Sequence, residues 1–236
     1  DLEKEESHRV TNTAEQEIYV EWIDDGNKIL FTSNSCLEKT IQKICNIEQI
    51  WIAEPGEETE SPIREVEDWK TYPITKGNKP NHRPQISPNG AKIAFIRDYG
   101  ELVVADFETN PEEENEIISN EITLRTGWDW PSISWSPDSQ WIAWSVEDIE
   151  HNADVWIAKT DGSISPKNIS SHPDMDMYPT WSENGRMLAF SSTRTSSTPR
   201  GSSTYSDIWY VFLRENDQEL TYKERKDLWE EEAKDS

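Results

Sequence analysis

The sequence predicts an all-β chain, a β-propeller built from four-stranded antiparallel blades, and three observations carry that expectation. First, one pattern of a tight turn followed by an apolar run occurs four times along the 236 residues. Second, a later apolar element follows each copy, and its central residues, Trp51, Val103, Trp156 and Trp209, are spaced by 52, 53 and 53 positions. Such a period is the mark of a stacked or radial repeat. Third, Pro and Gly fall too often, and the apolar segments are too short, for helices of ordinary length.

The four copies can be justified in order. The first runs Trp22-Ile23-Asp24-Asp25-Gly26, then Lys28-Ile29-Leu30-Phe31. The second is Ile86-Ser87-Pro88-Asn89-Gly90, then Lys92-Ile93-Ala94-Phe95. The third is Trp135-Ser136-Pro137-Asp138-Ser139, then Trp141-Ile142-Ala143-Trp144, and the fourth Trp181-Ser182-Glu183-Asn184-Gly185, then Met187-Leu188-Ala189-Phe190. Ser-Pro-Asx-Gly is hairpin chemistry: Pro presets φ, Asp or Asn bonds back to its own backbone, and Gly takes the positive φ. A short apolar run bounded by such turns reads as a strand covered on both faces. Ile50-Trp51-Ile52, Leu102-Val103-Val104, Val155-Trp156-Ile157 and Ile208-Trp209-Tyr210 read as further buried strands, rich in β-branched and aromatic residues. A weaker strand such as Lys167-Asn168-Ile169-Ser170 closes the unit after a turn such as Thr160-Asp161-Gly162. Each unit is then a meander of roughly 40–50 residues, the size of a propeller blade.

The expected organisation is an acidic N-terminal segment (1–17), blades at 18–78, 79–120, 121–173 and 174–213, and a charged helical linker (214–236) in which Thr221 and Glu224 have capping-box spacing. About four blades are present, and the expectation is that they form part of a larger ring, since four is the lower limit for closure. The chain begins at Asp1, with neither an initiator Met nor a signal-like stretch, and ends in a charged run. Both ends are expected to be cuts in a longer protein, or one processed end and one cut.

Composition narrows the function classes. With 47 acids against 23 bases the formal net charge is −24, which argues against electrostatic capture of nucleic acid or attraction to an anionic membrane surface. No run approaches the roughly 18 apolar residues of a membrane span. Hydrophobic content is only 33%, but 12 tryptophans argue for a packed core rather than an acidic disordered chain. The charge is concentrated: residues 1–17, 54–68, 106–121 and 214–236 together carry −21 of the −24. The remaining 165 residues are close to neutral, so the acidity decorates loops and ends. The loop of the first unit holds both cysteines, Cys36 and Cys45. Nine positions apart, they fit either a bridge across the loop neck in an oxidising compartment or two free thiols.

These motifs resemble a known family. The run Tyr178-Pro179-Thr180-Trp181-Ser182-Glu183-Asn184-Gly185, followed by Leu188-Ala189-Phe190-Ser191-Ser192 and Asp207-Ile208-Trp209, resembles the TolB-type propeller repeat. So do Pro131 to Trp144 with Asp154-Val155-Trp156 and, less fully, Pro84 to Phe95, where Glu101-Leu102-Val103 replaces the Asp-Ile-Trp element. The resemblance covers about residues 18–213. This repeat occurs in TolB, in propellers of prolyl-oligopeptidase relatives and in tricorn-type proteases. The exit Asp207 to Leu213 into a charged helix, and the run His172-Pro173-Asp174-Met175-Asp176-Met177-Tyr178-Pro179, are similar to the N-terminal propeller of bacterial tricorn-like serine proteases. The resemblance implies a non-catalytic propeller that guides or gates peptide substrates and mediates protein contacts. Its partners would be peptides or proteins and a protease domain downstream in the same polypeptide. Two alternatives stay open: a TolB-like interaction propeller without a protease, and the propeller lid of a prolyl-oligopeptidase relative. The resemblance also leaves open a bacterial periplasmic, otherwise extracytoplasmic, or cytoplasmic location.

Candidate chemistry in the chain itself is sparse. A nucleophilic hydrolase needs a Ser or Cys activated by a base, and neither a Gly-x-Ser-x-Gly elbow nor a Gly-rich phosphate loop is present. No catalytic residue, cofactor or metal is expected. The histidines, His8, His82, His151 and His172, fall in termini or between strands and read as turn or surface residues. The binding candidates are His172, Asp174 and Asp176, which could form a polar site near a channel mouth, and Trp128 and Trp130, which flank Asp129 outside the core triplets and are expected to be exposed. The other tryptophans are expected to pack between blades. Asn168-Ile169-Ser170 matches a glycosylation sequon and is read as a chance occurrence.

Overall fold

The computed structural model describes residues 7–35, 47–56, 63, 66–108, 117–126, 131–148, 152–194 and 206–235. Cys36 and Cys45 lie outside them. The described strands form four antiparallel sheets, and each pairs its strands in sequence order. The first sheet holds β1 (Glu17–Ile23), β2 (Lys28–Ser33), β3 (Gln49–Pro55) and β4 (Trp69–Pro73). The second holds β5 (Asn81–Ile86), β6 (Lys92–Arg97), β7 (Glu101–Phe107) and β8 (Ile118–Arg125). The third holds β9 (Ser132–Trp135), β10 (Trp141–Glu147), β11 (Ala153–Lys159) and β12 (Lys167–Asn168). The fourth has three described strands, β13 (Asp176–Trp181), β14 (Met187–Ser192) and β15 (Asp207–Phe212), followed by α1 (Glu215–Glu219) and α2 (Tyr222–Asp235). Contacts divide the chain into two compact units, Asp1–Trp128 with the first two sheets and Asp129–Ser236 with the last two.

The sequence period reappears as strand register. Trp51 lies opposite Phe31, Val103 opposite Phe95, Trp156 opposite Trp144 and Trp209 opposite Phe190. Each apolar run therefore pairs its large third residue with the centre of the later strand. The first three runs are covered on both faces, as their unbroken hydrophobicity requires: all six residues of β2 are buried, as are the four central residues of β6 and residues 142–145 of β10. In the fourth sheet β14 alternates buried and half-buried residues, and Ile208 and Tyr210 of β15 are exposed, which corrects the expectation of a buried strand there.

In the first unit, Ile23, Leu30, Ile50 and Ile52 of the first sheet pack with Ile93, Phe95 and Val103 of the second in one core. In the second unit, Ala143 and Val155 pack with Leu188 and Phe190, and Trp181, Trp209 and Val211 lie against them. Burying side chains of this size stabilises by roughly 1.5–3 kcal/mol each. Trp181 also donates its indole N–H to Ser134 O across the two sheets, at 3.0 Å.

Three of the four hairpin turns share one hydrogen-bond set. In the second sheet, the Ser87 Oγ donates to Asn89 Oδ1 (2.9 Å) and accepts the Lys92 N–H (3.0 Å), while Asn89 Oδ1 also accepts the Ala91 N–H (3.1 Å). Ser136 and Asp138 repeat these bonds toward Trp141 and Gln140, and Ser182 and Asn184 toward Met187 and Arg186. The last turn residue takes positive φ in each, at 74° in Gly90, 60° in Ser139 and 67° in Gly185. The Asp of the Asp-Val-Trp element has a structural task. Asp154 accepts Asn168 Nδ2 (2.8 Å), Ser170 Oγ (3.1 Å) and His172 N (3.2 Å), stapling β11 to β12 and the run beyond. Asn168, the sequon residue, also accepts the Ser170 and Ser171 N–H groups through Oδ1, so both ends of its amide are engaged.

At the C-terminus the capping box forms as expected. Thr221 N donates to Glu224 Oε2 (2.9 Å) and Glu224 N donates to Thr221 Oγ1 (3.3 Å), which satisfies backbone donors at the start of α2. Among the described residues no helix is long and apolar enough to cross a membrane.

Candidate functional site

The first hairpin turn departs from the other three. Ile23 stands where they have Ser, and Asp24 where two of them have Pro. Ile23 is buried in the core of the first unit. Without the Ser hydroxyl to organise the turn, Asp24–Gly26 closes as a short 3-10 turn with Asp24, Asp25 and Gly26 all at positive φ (54°, 53° and 86°). Asn27 closes it from outside: its N–H and its side-chain amide both donate to Asp24 O, at 3.0 and 2.8 Å. Consecutive non-glycine residues at positive φ are uncommon, and Asp is among the types that tolerate it.

This turn and the Ser87–Ala91 turn of the second sheet line a cleft of about 680 Å³, within the roughly 300–1,000 Å³ range of small-ligand sites. Glu21, Trp22, Asp24 and Asp25 line it from the first sheet, and Ile86, Pro88 and Asn89 from the second. The Trp22 side chain pairs with Ile29 on the face of the first sheet turned away from the second, where it is 55% exposed. The Glu21 carboxylate spans the two strands and accepts the Ile86 N–H at 3.2 Å. Burial pushes its pKa up, and that backbone bond pulls it part of the way back. Among the described residues none of the three lining carboxylates takes part in an ion pair, whereas Glu54 pairs with Lys28, Glu101 with Lys79, Asp106 with Lys92 and Glu121 with Arg97.

The first strands of three sheets also carry a bulge. Pairing shifts between Ile18 and Glu21, His82 and Gln85, and Met177 and Thr180, and within each gap lies a residue at positive φ: Tyr19 (55°), Arg83 (53°) and Tyr178 (57°). Bulges re-aim side chains. In the first unit this turns Arg83 onto Tyr19, its guanidinium 5.2 Å from the ring centroid and its Nε donating to Tyr19 Oη at 3.2 Å.

The residues singled out from sequence are placed as follows. Trp128 and Trp130 lie outside the described residues. His172 and Asp174 meet: the His172 Nδ1 accepts the Asp174 N–H at 3.1 Å and lies 3.5 Å from Asp174 Oδ2. Asp176 is turned inward. It is fully buried and holds Arg194 through two bonds, Nε to Oδ1 at 3.2 Å and Nη2 to Oδ2 at 2.6 Å. Arg194 in turn lies over the Phe190 and Trp209 rings and donates to Ser170 O. Asp176 is thus bound into the blade by a part-buried cation. The cleft residues Glu21, Trp22, Asp24 and Asp25 were not singled out from sequence, although the break in the Ser-Pro-Asx-Gly pattern at 23–26 is visible there.

No protein-family model and no curated protein matches the sequence. Solved structures do. An oligogalacturonate lyase from Vibrio parahaemolyticus is similar at TM-score 0.56 and 11% identity, over 87% of this chain and 53% of that one. The β-propeller domain of Cps50 (Swd1) from Myceliophteria thermophila is similar at TM-score 0.51 and 10% identity, over 77% and 49%. The fold is that of β-propeller blades. The tricorn protease is similar at TM-score 0.52 and 13% identity, over 84% of this chain and 18% of that one. The chain thus spans about half the length, or less, of these three proteins. Identities this low establish the fold alone, and one fold serves many functions.

Proposed function

We propose that this chain is the non-catalytic propeller of a tricorn-like serine protease and that it guides or gates peptide substrates. The observation that carries the reading is the cleft of the first unit: a concave surface of carboxylates and turn backbone, equipped to hold a peptide rather than to cut one. The serine in its lining, Ser87, is 3% exposed, and its hydroxyl is engaged with Asn89 and the Lys92 N–H. No histidine lines the cleft beside it, and a serine nucleophile needs such a base. The likeness to the tricorn protease and the exit of the last strand into a capped, charged helix support the same reading.

The test is to titrate the purified chain with unstructured peptides by calorimetry and to assay the same mixtures for cleavage. Saturable binding without turnover is the expected result. Turnover abolished by a single Ser→Ala change, or failure of every peptide to bind, would overturn the proposal.

A further inference from the structure

We propose that the outer edge of β15 pairs with the same strand of a second copy of this chain, antiparallel about a two-fold axis at Tyr210, and joins two fourth blades into one continuous sheet. This goes beyond the peptide-guiding reading and does not depend on it.

The edge is open. The first three sheets end in an outer strand, β4, β8 or β12, whereas no strand among the described residues pairs with the far side of β15. Leu213 donates its N–H to Arg186 O at 2.9 Å, so Leu213 and, by alternation, Val211, Trp209 and Asp207 turn their backbone groups toward β14. Ile208, Tyr210 and Phe212 turn theirs outward. Ile208 holds the repeat position of Ile50 and Val155, whose carbonyls accept the Ile74 and Ile169 N–H groups just past β4 and β12, at 2.8 and 2.9 Å. In the other three sheets this position is buried, at 0% in Ile50, Leu102 and Val155, but Ile208 is 77% exposed and Tyr210 59%.

The edge is also unguarded. Sheet edges are ordinarily protected against pairing by charge, proline, bulges or shortness. β4 carries Lys70 and Pro73, β8 carries Glu121, Arg125 and two register shifts, and β12 is two residues long. β15 reads Asp-Ile-Trp-Tyr-Val-Phe, six residues in unbroken register with neither a basic residue nor a proline. The strand complements itself. Antiparallel pairing about Tyr210 sets Ile208 opposite Phe212 of the second copy, Trp209 opposite Val211 and Tyr210 opposite Tyr210, the aromatic and β-branched pairs that stabilise sheets. It also brings the Asp207 end of each strand beside the exposed Arg214 end of the other, whereas parallel pairing would set like charge beside like. Such a contact closes at two copies, and its short length makes it a small interface, for which micromolar dissociation is expected.

The experiment is sedimentation velocity on the whole chain from micromolar to submillimolar concentration, in about 0.3 M salt to screen the formal charge of −24. A reversible monomer–dimer equilibrium is expected. Ile208→Lys places a charge on the edge and should weaken the dimer at least tenfold. Tyr210→Pro removes an outward N–H while sparing the bonds to β14, and should weaken it as much. Thr71→Lys adds the same charge to β4, an edge already guarded, and should leave the equilibrium unchanged. The urea midpoint of each variant checks that it folds. A monomer at every concentration overturns the proposal. If that monomer binds unstructured peptides and Ile208→Lys abolishes the binding, the edge takes a peptide strand in place of a second copy. A dimer unchanged in both β15 variants, or weakened equally by Thr71→Lys, overturns the assignment to this edge.

Discussion

The first hairpin turn and the three that follow solve the same geometric problem with different chemistry. In the Ser87, Ser136 and Ser182 turns, a hydroxyl and an Asx oxygen absorb the backbone donors of the reversal, and the side chains are consumed in doing so. In the first turn, Ile23 gives its side chain to the core, and the backbone closes in a left-handed turn pinned from outside by Asn27. What the first turn loses in internal hydrogen bonds it gains in carboxylates that no ion pair among the described residues engages. A local rule kept three times and broken once, at the rim of a cleft, is the pattern expected where binding competes with stability.

Substitutions that exchange the two solutions test this contrast. The largest effect is expected for Ile23→Ser, which writes the serine of the other turns into the first. It empties a buried core position and should destabilise by about 3 kcal/mol, read from the urea midpoint. A neutral result would mean that the first turn can adopt the serine geometry after all. Next, Ser136→Ala removes the acceptor of the Trp141 N–H and the donor to Asp138. It should lower stability by about 1–2 kcal/mol, while Ser136→Ala combined with Asp138→Ala should lose less than the sum of the two single changes. Smaller still is the pair Gly90→Ala and Asp25→Gly. No atom lies within 4 Å of a Cβ added at Gly90, so Ala there should cost only the positive φ, about 1 kcal/mol. At Asp25 the exchange runs the other way, and Gly should gain up to about 1 kcal/mol. If Asp25→Gly destabilises, the aspartate contributes something to the turn beyond its carboxylate.

The split between what was legible in the sequence and what was not follows the range of the interactions. The blade repeat, its register at Trp51, Val103, Trp156 and Trp209, and the Thr221–Glu224 cap all rest on contacts inside one hairpin or one helical turn, where spacing alone constrains geometry. The cleft does not. Glu21 meets Ile86 across 65 positions and Arg83 meets Tyr19 across 64, and no pattern along the chain pairs them. Asp176 shows a different limit, since spacing within a hairpin does not say which partner a side chain turns to. Its neighbours His172 and Asp174 suggested a shared polar site, but its partner is Arg194, 18 positions away, in the strand exit across the hairpin. The exposure of Trp22 was hidden for a related reason. A tryptophan at the turn position of a blade reads as packing, but Trp22 pairs with Ile29 on the face of the first sheet turned away from the second, and the sequence does not say what meets that face.

The smallest effect carries the sharpest sign. Burial raises the Glu21 pKa, so the folded protein holds that proton more tightly than the unfolded chain does. The penalty for ionising it is absent below the ordinary carboxylate pKa of 4.5 and develops as pH rises through and past the raised value. Glu21→Gln should therefore raise the Tm at pH 7 and leave it nearly unchanged at pH 3. Asp106 supplies the opposite case in the same unit. Its bonds to Lys92 and Asn120 hold its pKa down, so its contribution is present above the ordinary value of 3.8 and lost as pH falls through the lowered one. Asp106→Asn should lower the Tm at pH 7 and do little at pH 2.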